Sequence, residues 1–170
     1  PSKACMLTEV DAHASDVNVI SWNRFEPFLA SGGDDGFIKV WDLRQFSVSQ
    51  KSKNKHAFFF KFYCLETKPV ASFKHHRSAI TSIEWHYTDS SVFAAAGADN
   101  QITLWDLAVE KDPEEKKQES ASQLETLPDQ LLFIHMGQTD IKEVHWHRQI
   151  PGLLISTALS GFNVFKTISA

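Results

Sequence analysis

Five tryptophans recur on a fixed spacing, and that spacing constrains this chain more than any other property. Trp22 is followed 19 residues later by Trp41-Asp42, and Trp85 is followed 20 residues later by Trp105-Asp106. Trp146 opens a third copy, in which Phe165-Lys166 stands 19 residues on. Self-similarity at a fixed period marks stacked units, each unable to bury its apolar face alone. Within the copies, Asp34-Asp35-Gly36 and Ala98-Asp99-Asn100 are hairpin-turn chemistry, because Asp, Asn and Gly tolerate positive φ. The alternation that follows each turn reads as a half-buried strand. A His precedes the first Trp by nine residues in two copies, His13 and His76, whereas in the third the nearest, His135, stands eleven before Trp146. The pattern predicts strands at 4–8, 17–22, 28–33, 37–42, 69–74, 79–85, 91–96, 101–106, 130–134, 141–146, 152–157 and 162–166.

Composition narrows the class. The chain has 170 residues, 42% of them hydrophobic and 22% charged, with 7 Gly and 6 Pro, which excludes collagen-like and wholly disordered chains. A net charge of -4 supplies no overall field for nucleic acid or an anionic membrane. No apolar run approaches the length of a membrane helix. Cys5 and Cys64 make neither a metal motif nor a disulfide framework. The first residue is Pro1 and the strand-like run Ala4–Thr8 follows at once, so the chain is read as a fragment.

The residues His…Trp…Ser-Gly…Asp-Gly…Trp-Asp resemble WD repeats, the blades of a β-propeller. The resemblance implies an all-β WD-repeat propeller of about three blades, open here, from a larger ring of about seven. It also implies a buried hydrogen-bond chain in each blade, which falls on Trp41, Ser31, Asp35 and His13 in the first. In the second, Ala95 stands where the hydroxyl is expected, leaving Trp105, Asp99 and His76. In the third, Leu159 and Phe165 replace Asp and Trp, so no such chain is expected.

Successive first tryptophans lie 63 and 61 residues apart, against about 40–45 for a blade. The organisation read from this is a blade with a preceding outer strand (1–46), an insertion (47–67), a second blade (68–109), an acidic loop (110–129), and a segment (130–170) holding that blade's last strand and an incomplete final blade. The first insertion carries Lys51, Lys53, Lys55 and Lys61 beside Phe58-Phe59-Phe60-Lys61-Phe62-Tyr63. One reading is a basic aromatic arm for RNA or membrane, and another is an added edge strand. A third, preferred, is an unremoved intron: the Phe-rich run back-translates into a pyrimidine-rich tract ending in AG, and its excision joins Phe46 to Lys68 at ordinary blade spacing. The second insertion holds seven acidic residues, Glu114, Glu115, Glu119, Glu125 and Asp129 among them, against three lysines. It reads as an acidic loop that captures a basic partner by steered encounter, with a solvated linker as the plain alternative.

Further stretches, among them Asp16–Trp22, Ser31–Gly36, Trp105–Glu110, Leu131–His135 and Ser156–Phe162, resemble the C-terminal part of the glutamate-rich WD-repeat family. That resemblance implies a nuclear and nucleolar factor of ribosome biogenesis that binds histones. A more distant similarity, to the retinoblastoma-binding histone chaperones, places Phe133 and Ile134 at apolar histone contacts beside the acidic loop. Thr126-Leu127-Pro128-Asp129-Gln130 departs from that family in having one proline for two. The function expected is a non-enzymatic scaffold and chaperone for basic proteins, either a ribosomal protein or histones, with no cofactor, no membrane and no sequence-specific nucleic acid.

No G-x-S-x-G, phosphate-binding glycine loop or H-E-x-x-H motif is present. His145-Trp146-His147 puts two imidazoles on one strand face, the start of a metal site, yet a His also follows Trp85 as His86, which favours a surface strand position. Asp42 and Arg44 resemble the WD-x-R box by which some propellers dock on a cullin ubiquitin ligase adaptor. A truncated product without activity is the remaining alternative.

Overall fold

Turn chemistry delimits the strands. Gly36 (φ 70°) and Asn100 (φ 67°) occupy equivalent places before the third strand of their blades, in the left-handed region where Asn and Gly cost least. The computed structural model describes residues 11–45, 48–49, 64–65, 68–109 and 127–167. The strands are β1 (Val17–Trp22), β2 (Phe28–Gly33), β3 (Phe37–Asp42), β4 (Val48–Ser49), β5 (Cys64–Leu65), β6 (Ala71–Lys74) and β7 (Ile80–Trp85). They continue with β8 (Val92–Gly97), β9 (Gln101–Asp106), β10 (Leu131–Met136), β11 (Ile141–Trp146), β12 (Leu153–Ala158) and β13 (Gly161–Lys166). The expected strand at 4–8 lies outside the described residues.

Three antiparallel sheets form three propeller blades, ordered β1-β2-β3-β6, β7-β8-β9-β10 and β11-β12-β13. Strands β1, β7 and β11 lie side by side, with β7 in the middle. Each carries an irregularity at the same place in its pairing, after Val17, Ile80 and Ile141. Strands β4 and β5 form a separate two-stranded sheet and do not extend a blade. The remainder of the first insertion, and residues 110–126 of the second, lie outside the described residues.

Burial is concentrated between blades. Ala30, Ile38, Val40 and Phe73 of the first pack on Ile80, Ile83, Trp85 and Phe93 of the second. Ala94, Ile102 and Leu104 of the second pack on Ile141, Val144, Trp146 and Leu154 of the third. Gly32 permits the first approach, since a Cβ there would stand 2.5 Å from Ile80 Cγ2.

The polar chain runs through two blades by different routes. In the first, His13 meets Asp35 through Nδ1 (3.0 Å) and Ser31 Oγ through Nε2 (2.8 Å), and Trp41 Nε1 donates to Ser31 Oγ (2.9 Å). In the second, His76 meets Asp99 through Nδ1 (2.9 Å) and Thr103 Oγ1 through Nε2 (2.9 Å), and Trp105 Nε1 donates to Thr103 Oγ1 (2.8 Å). The expectation of a missing hydroxyl at Ala95 is therefore corrected: Thr103 supplies it. Ala95 and Thr103 face each other across the ladder, as Ser31 and Lys39 do. Directly opposed residues share a sheet face, so the hydroxyl has changed strands without leaving the network. Completing the donors gives Nδ1–H to the carboxylate and a hydroxyl proton to Nε2, so that the indole, the hydroxyl and the imidazole each donate once and the carboxylate only accepts. Gly33 and Gly97 leave room for the imidazoles. A Cβ on Gly33 would stand 2.9 Å from His13 Nδ1, and one on Gly97 would strike His76. In the third blade Ala158 takes the glycine's place, and Ser156 Oγ bonds Gln138 Oε1 as a two-member remnant.

Burial works to raise the Asp35 and Asp99 carboxyls. Hydrogen bonds from Phe37 N, His13 and Ala14 N outweigh it at Asp35, and those from His76 and Arg77 N outweigh it at Asp99, so both sit below the ordinary value of 3.8. Burial lowers His86 and His135 below the ordinary 6.5, and the buried Nε2 of each has no hydrogen-bond partner among the described residues. His135 stacks flat on Phe165 of the next blade, 4.0 Å between ring centroids.

Two outcomes are expected. Thr103→Val takes the hydroxyl partner from Trp105 Nε1 and His76 Nε2 and lowers unfolding stability by about 1–3 kcal/mol, measured by urea denaturation. Adding Ala95→Ser restores part of that loss by installing the first blade's arrangement. On acidification, the depressed histidines contribute stability fully above pH 6.5 that is lost as the pH falls below it, and the depressed carboxylates contribute a second loss below 3.8. His135→Phe diminishes the first loss and leaves the second, as read by thermal melts across pH.

Candidate functional site

Both insertions connect the third strand of a blade to its fourth, β3 to β6 and β9 to β10, and so both open on one face of the propeller. The neck of the acidic insertion is pinned there. Leu107 N donates to Ser91 O (3.0 Å), Asp106 N to Gln130 O (2.9 Å), and Gln130 Nε2 to Val109 O (3.2 Å). Leu131 N closes the returning turn on Pro128 O (2.9 Å).

Between the two necks lies a cleft of about 530 Å³, lined by Phe28, Val70, Phe73, Leu107, Ala108 and Gln130, among others. Its floor is apolar, formed by Phe28, Val70, Phe73 and Leu107. Its rim carries the ends of a segment with seven acidic and three basic residues. The arrangement suits a partner that presents an apolar side chain among cations, the apolar contact setting register and the charge setting encounter rate.

Asp42 and Arg44 stand on the same face. Arg44 Nε donates to Asp42 Oδ1 (2.9 Å) and its Nη2 to Oδ2 (2.9 Å), a bidentate pair. The Arg44 side chain remains largely exposed and passes over the Phe28 ring, 5.7 Å from its centroid. The hydrogen bonds from Arg44 hold the Asp42 carboxyl below the usual carboxylate range. Phe28 thus joins two groups of residues that the sequence leaves separate: the WD-x-R pair and the cleft beside the acidic neck.

Phe133 and Ile134 lie on β10, the outer strand of the second blade. Successive residues of a strand point to opposite faces. Phe133 is exposed on the His135 side, 6.5 Å from that ring, and Ile134 is half-buried on the other. Asp129 sits in the turn that precedes β10, and Glu114, Glu115, Glu119 and Glu125 lie outside the described residues. The cleft residues Phe28, Val70 and Leu107 were not singled out from sequence, where each reads as ordinary strand or turn sequence.

His145 and His147 are both exposed, as a surface position requires, but they do not share a strand face. Strand β11 ends at Trp146, so His147 begins a turn, where its Nδ1 accepts from Gln149 N (3.1 Å) and Ile150 N (3.0 Å). His86 holds the equivalent turn by accepting from Asp89 N (3.1 Å), and it is buried, contrary to the surface position expected. Asn23 does the same in the first blade through Oδ1. The residue after each first Trp is a turn cap. Among the described residues no group of three His, Cys, Asp or Glu is placed to hold a metal ion.

Comparison with known proteins agrees with this architecture. The family described as "WD domain, G-beta repeat" matches residues 4–42 and 67–106. The chain is 62% identical over 101 residues to the ribosome assembly protein rrb1 of Schizosaccharomyces pombe, which covers 59% of this chain and 21% of that protein. It is 68% identical over 40 residues to glutamate-rich WD repeat-containing protein 1 of Dictyostelium discoideum, covering 24% of this chain and 8% of that one. The chain thus spans at most about a fifth of the length of these two relatives. Among solved structures, a chain in the crystal structure of the mitotic checkpoint complex aligns over 91% of this chain and 36% of its own, with a TM-score of 0.62 at 18% identity, a likeness of fold.

Proposed function

Since the chain is a WD-repeat β-propeller chain, homologous to a ribosome assembly protein and to a glutamate-rich WD-repeat protein, we propose that it serves as a non-enzymatic scaffold and chaperone for basic proteins. The partners are a ribosomal protein or histones, and the setting is ribosome biogenesis and chromatin in the nucleus and nucleolus. One observation carries the reading: the acidic insertion is rooted at the rim of an apolar cleft on a single face. Basic proteins destined for RNA or DNA bind polyanions indiscriminately when free. An acidic segment competes with phosphate for their cations, and an apolar cleft fixes which segment is held. No bond is made or broken in this work, and no cofactor enters it.

A second reading rests on Arg44. Its exposed guanidinium, aligned by Asp42 on the same face, suits docking on a cullin ligase adaptor. Arg44→Ala then removes adaptor co-purification while leaving basic-protein binding intact.

Titration with a core histone or a basic ribosomal protein by calorimetry tests the main reading. Affinity is expected to fall by about tenfold or more between 50 and 200 mM salt, the behaviour of an encounter led by several charges. Replacing Glu114, Glu115, Glu119 and Glu125 with Gln lowers affinity at low salt and flattens the salt dependence. Leu107→Asp weakens binding through the cleft at every salt concentration. Affinity indifferent to salt in the unsubstituted chain overturns the reading.

A further inference from the structure

The turn after the first strand of each blade is capped by the residue that follows that strand's Trp, and the three caps differ in one chemical property. Asn23 Oδ1 accepts from Phe25 N and Glu26 N, both at 2.9 Å, and an amide does not titrate. His147 titrates but is exposed. His86 titrates and is 5% exposed. Its Nδ1 accepts from Asp89 N (3.1 Å) and faces Thr88 Oγ1 (3.3 Å), so the neutral ring carries its proton on Nε2. That Nε2 has no hydrogen-bond partner among the described residues, and the ring stands edge to face with Trp146 of the third blade, 4.6 Å between centroids.

A run of hydrogen bonds connects this cap to the cleft. Asp89, whose amide His86 holds, accepts through Oδ1 from Ser91 N and Ser91 Oγ, each at 2.9 Å. Ser91 O accepts from Leu107 N (3.0 Å), at the start of the acidic neck. Ser90 O accepts from Asn23 Nδ2 (2.7 Å), the first blade's own cap. Ser90, Ser91 and Leu107 all line the cleft. One wall of the cleft is thus a turn whose shape depends on an acceptor at His86 Nδ1.

We propose that His86 is a positioning residue of the cleft and that it acts only while its Nδ1 is unprotonated. A second proton on the ring has to sit on Nδ1, where the Asp89 N–H already points, so an acceptor becomes a donor facing a donor. The turn then opens, Asp89 no longer orients Ser91, and Leu107 N loses Ser91 O. Burial disfavours the charged ring, the Asp89 carboxylate on the same turn favours it, and burial prevails. From β11, Trp146 presents an uncharged indole, and the Glu84 carboxylate of β7 is committed to Trp146 N (2.6 Å) and faces His145 (3.4 Å). The Tyr87 ring lies 4.9 Å from His86. Because the folded value is lowered, the closed turn is fully favoured above 6.5 and loses that advantage as the pH falls below it. That the cleft captures a basic partner rests on the function proposed above, whereas the action of His86 on Ser91 and Leu107 does not.

Amide hydrogen exchange on the whole chain, normalised to the intrinsic rate at each pH, tests this without a partner. Between about pH 7.5 and 5.5, protection at Asp89 and Leu107 is expected to fall about tenfold, the effect of one proton taken up on opening. His86→Asn gives the second blade the first blade's cap and is expected to abolish that fall, while His135→Phe leaves it in place. Imidazole nitrogen resonances of the unsubstituted chain are expected to report the Nε2–H tautomer at neutral pH. Protection at Leu107 that is constant over the interval, a fall equally steep in His86→Asn, or a proton on Nδ1 at neutral pH overturns the inference. Calorimetry with a core histone at fixed salt separates it from the function it serves. Affinity that falls over the same interval in the unsubstituted chain but not in His86→Asn joins the cap to capture, and an equal fall in both overturns that link. Absence of binding at neutral pH overturns the function proposed above, and the exchange result then decides on His86 alone.

Discussion

Every blade here has two apolar faces, and that constraint governs the rest of the structure. A sheet with one wet face can stand on a single packed layer, whereas a sheet apolar on both faces is stable only between two others. The middle blade satisfies this in full. Its Trp85 and Ile83 press on the first blade, and its Ile102 and Leu104 on the third. Each large side chain buried this way contributes about 1.5–3 kcal/mol. Each interface also carries an indole-to-carbonyl hydrogen bond, joined by Asn18 Nδ2 to Ile80 O in the first and by Val144 N to Ser82 Oγ in the second, and together these fix how far one blade slides along the next.

The polar chain inside each blade answers to that packing. A Trp buried between sheets carries an N–H that must find an acceptor. The first blade meets the need with Ser31 and the second with Thr103, so the requirement is for an oxygen at one point in space, not for one residue at one position. The third blade has Phe165 in place of Trp, and the need vanishes with the N–H. What remains is a Ser156–Gln138 pair and a stack of Phe165 on His135. Drift in the repeat therefore follows the chemistry of the tryptophan.

Repeats place insertions as well as strands. Because both long segments replace the same connection in successive blades, they open on one face, and the cleft between their necks follows from the blade geometry. The sequence shows the acidic charge and the Asp42–Arg44 pair. It does not show that Phe28 lies under Arg44 and lines that cleft, because Phe28, Val70 and Leu107 come from separate connections joined only by the fold. Nor does it show that Phe133 and Ile134 lie on opposite faces of an outer strand until the strand and its partner are established.

The all-β repeat, strand limits that mostly agree within two residues, and the turns at Gly36 and Asn100 are legible in the sequence without any tertiary contact. All of these are local, set by alternation, turn chemistry and a spacing that recurs. The tertiary structure decided which strand supplies the second hydroxyl, which histidines cap turns, and which apolar residues remain uncovered. Those properties depend on what lies across a ladder or on the neighbouring blade, and residues such as Ala95 and Thr103, or Trp85 and Ser21, meet only once the sheets have packed.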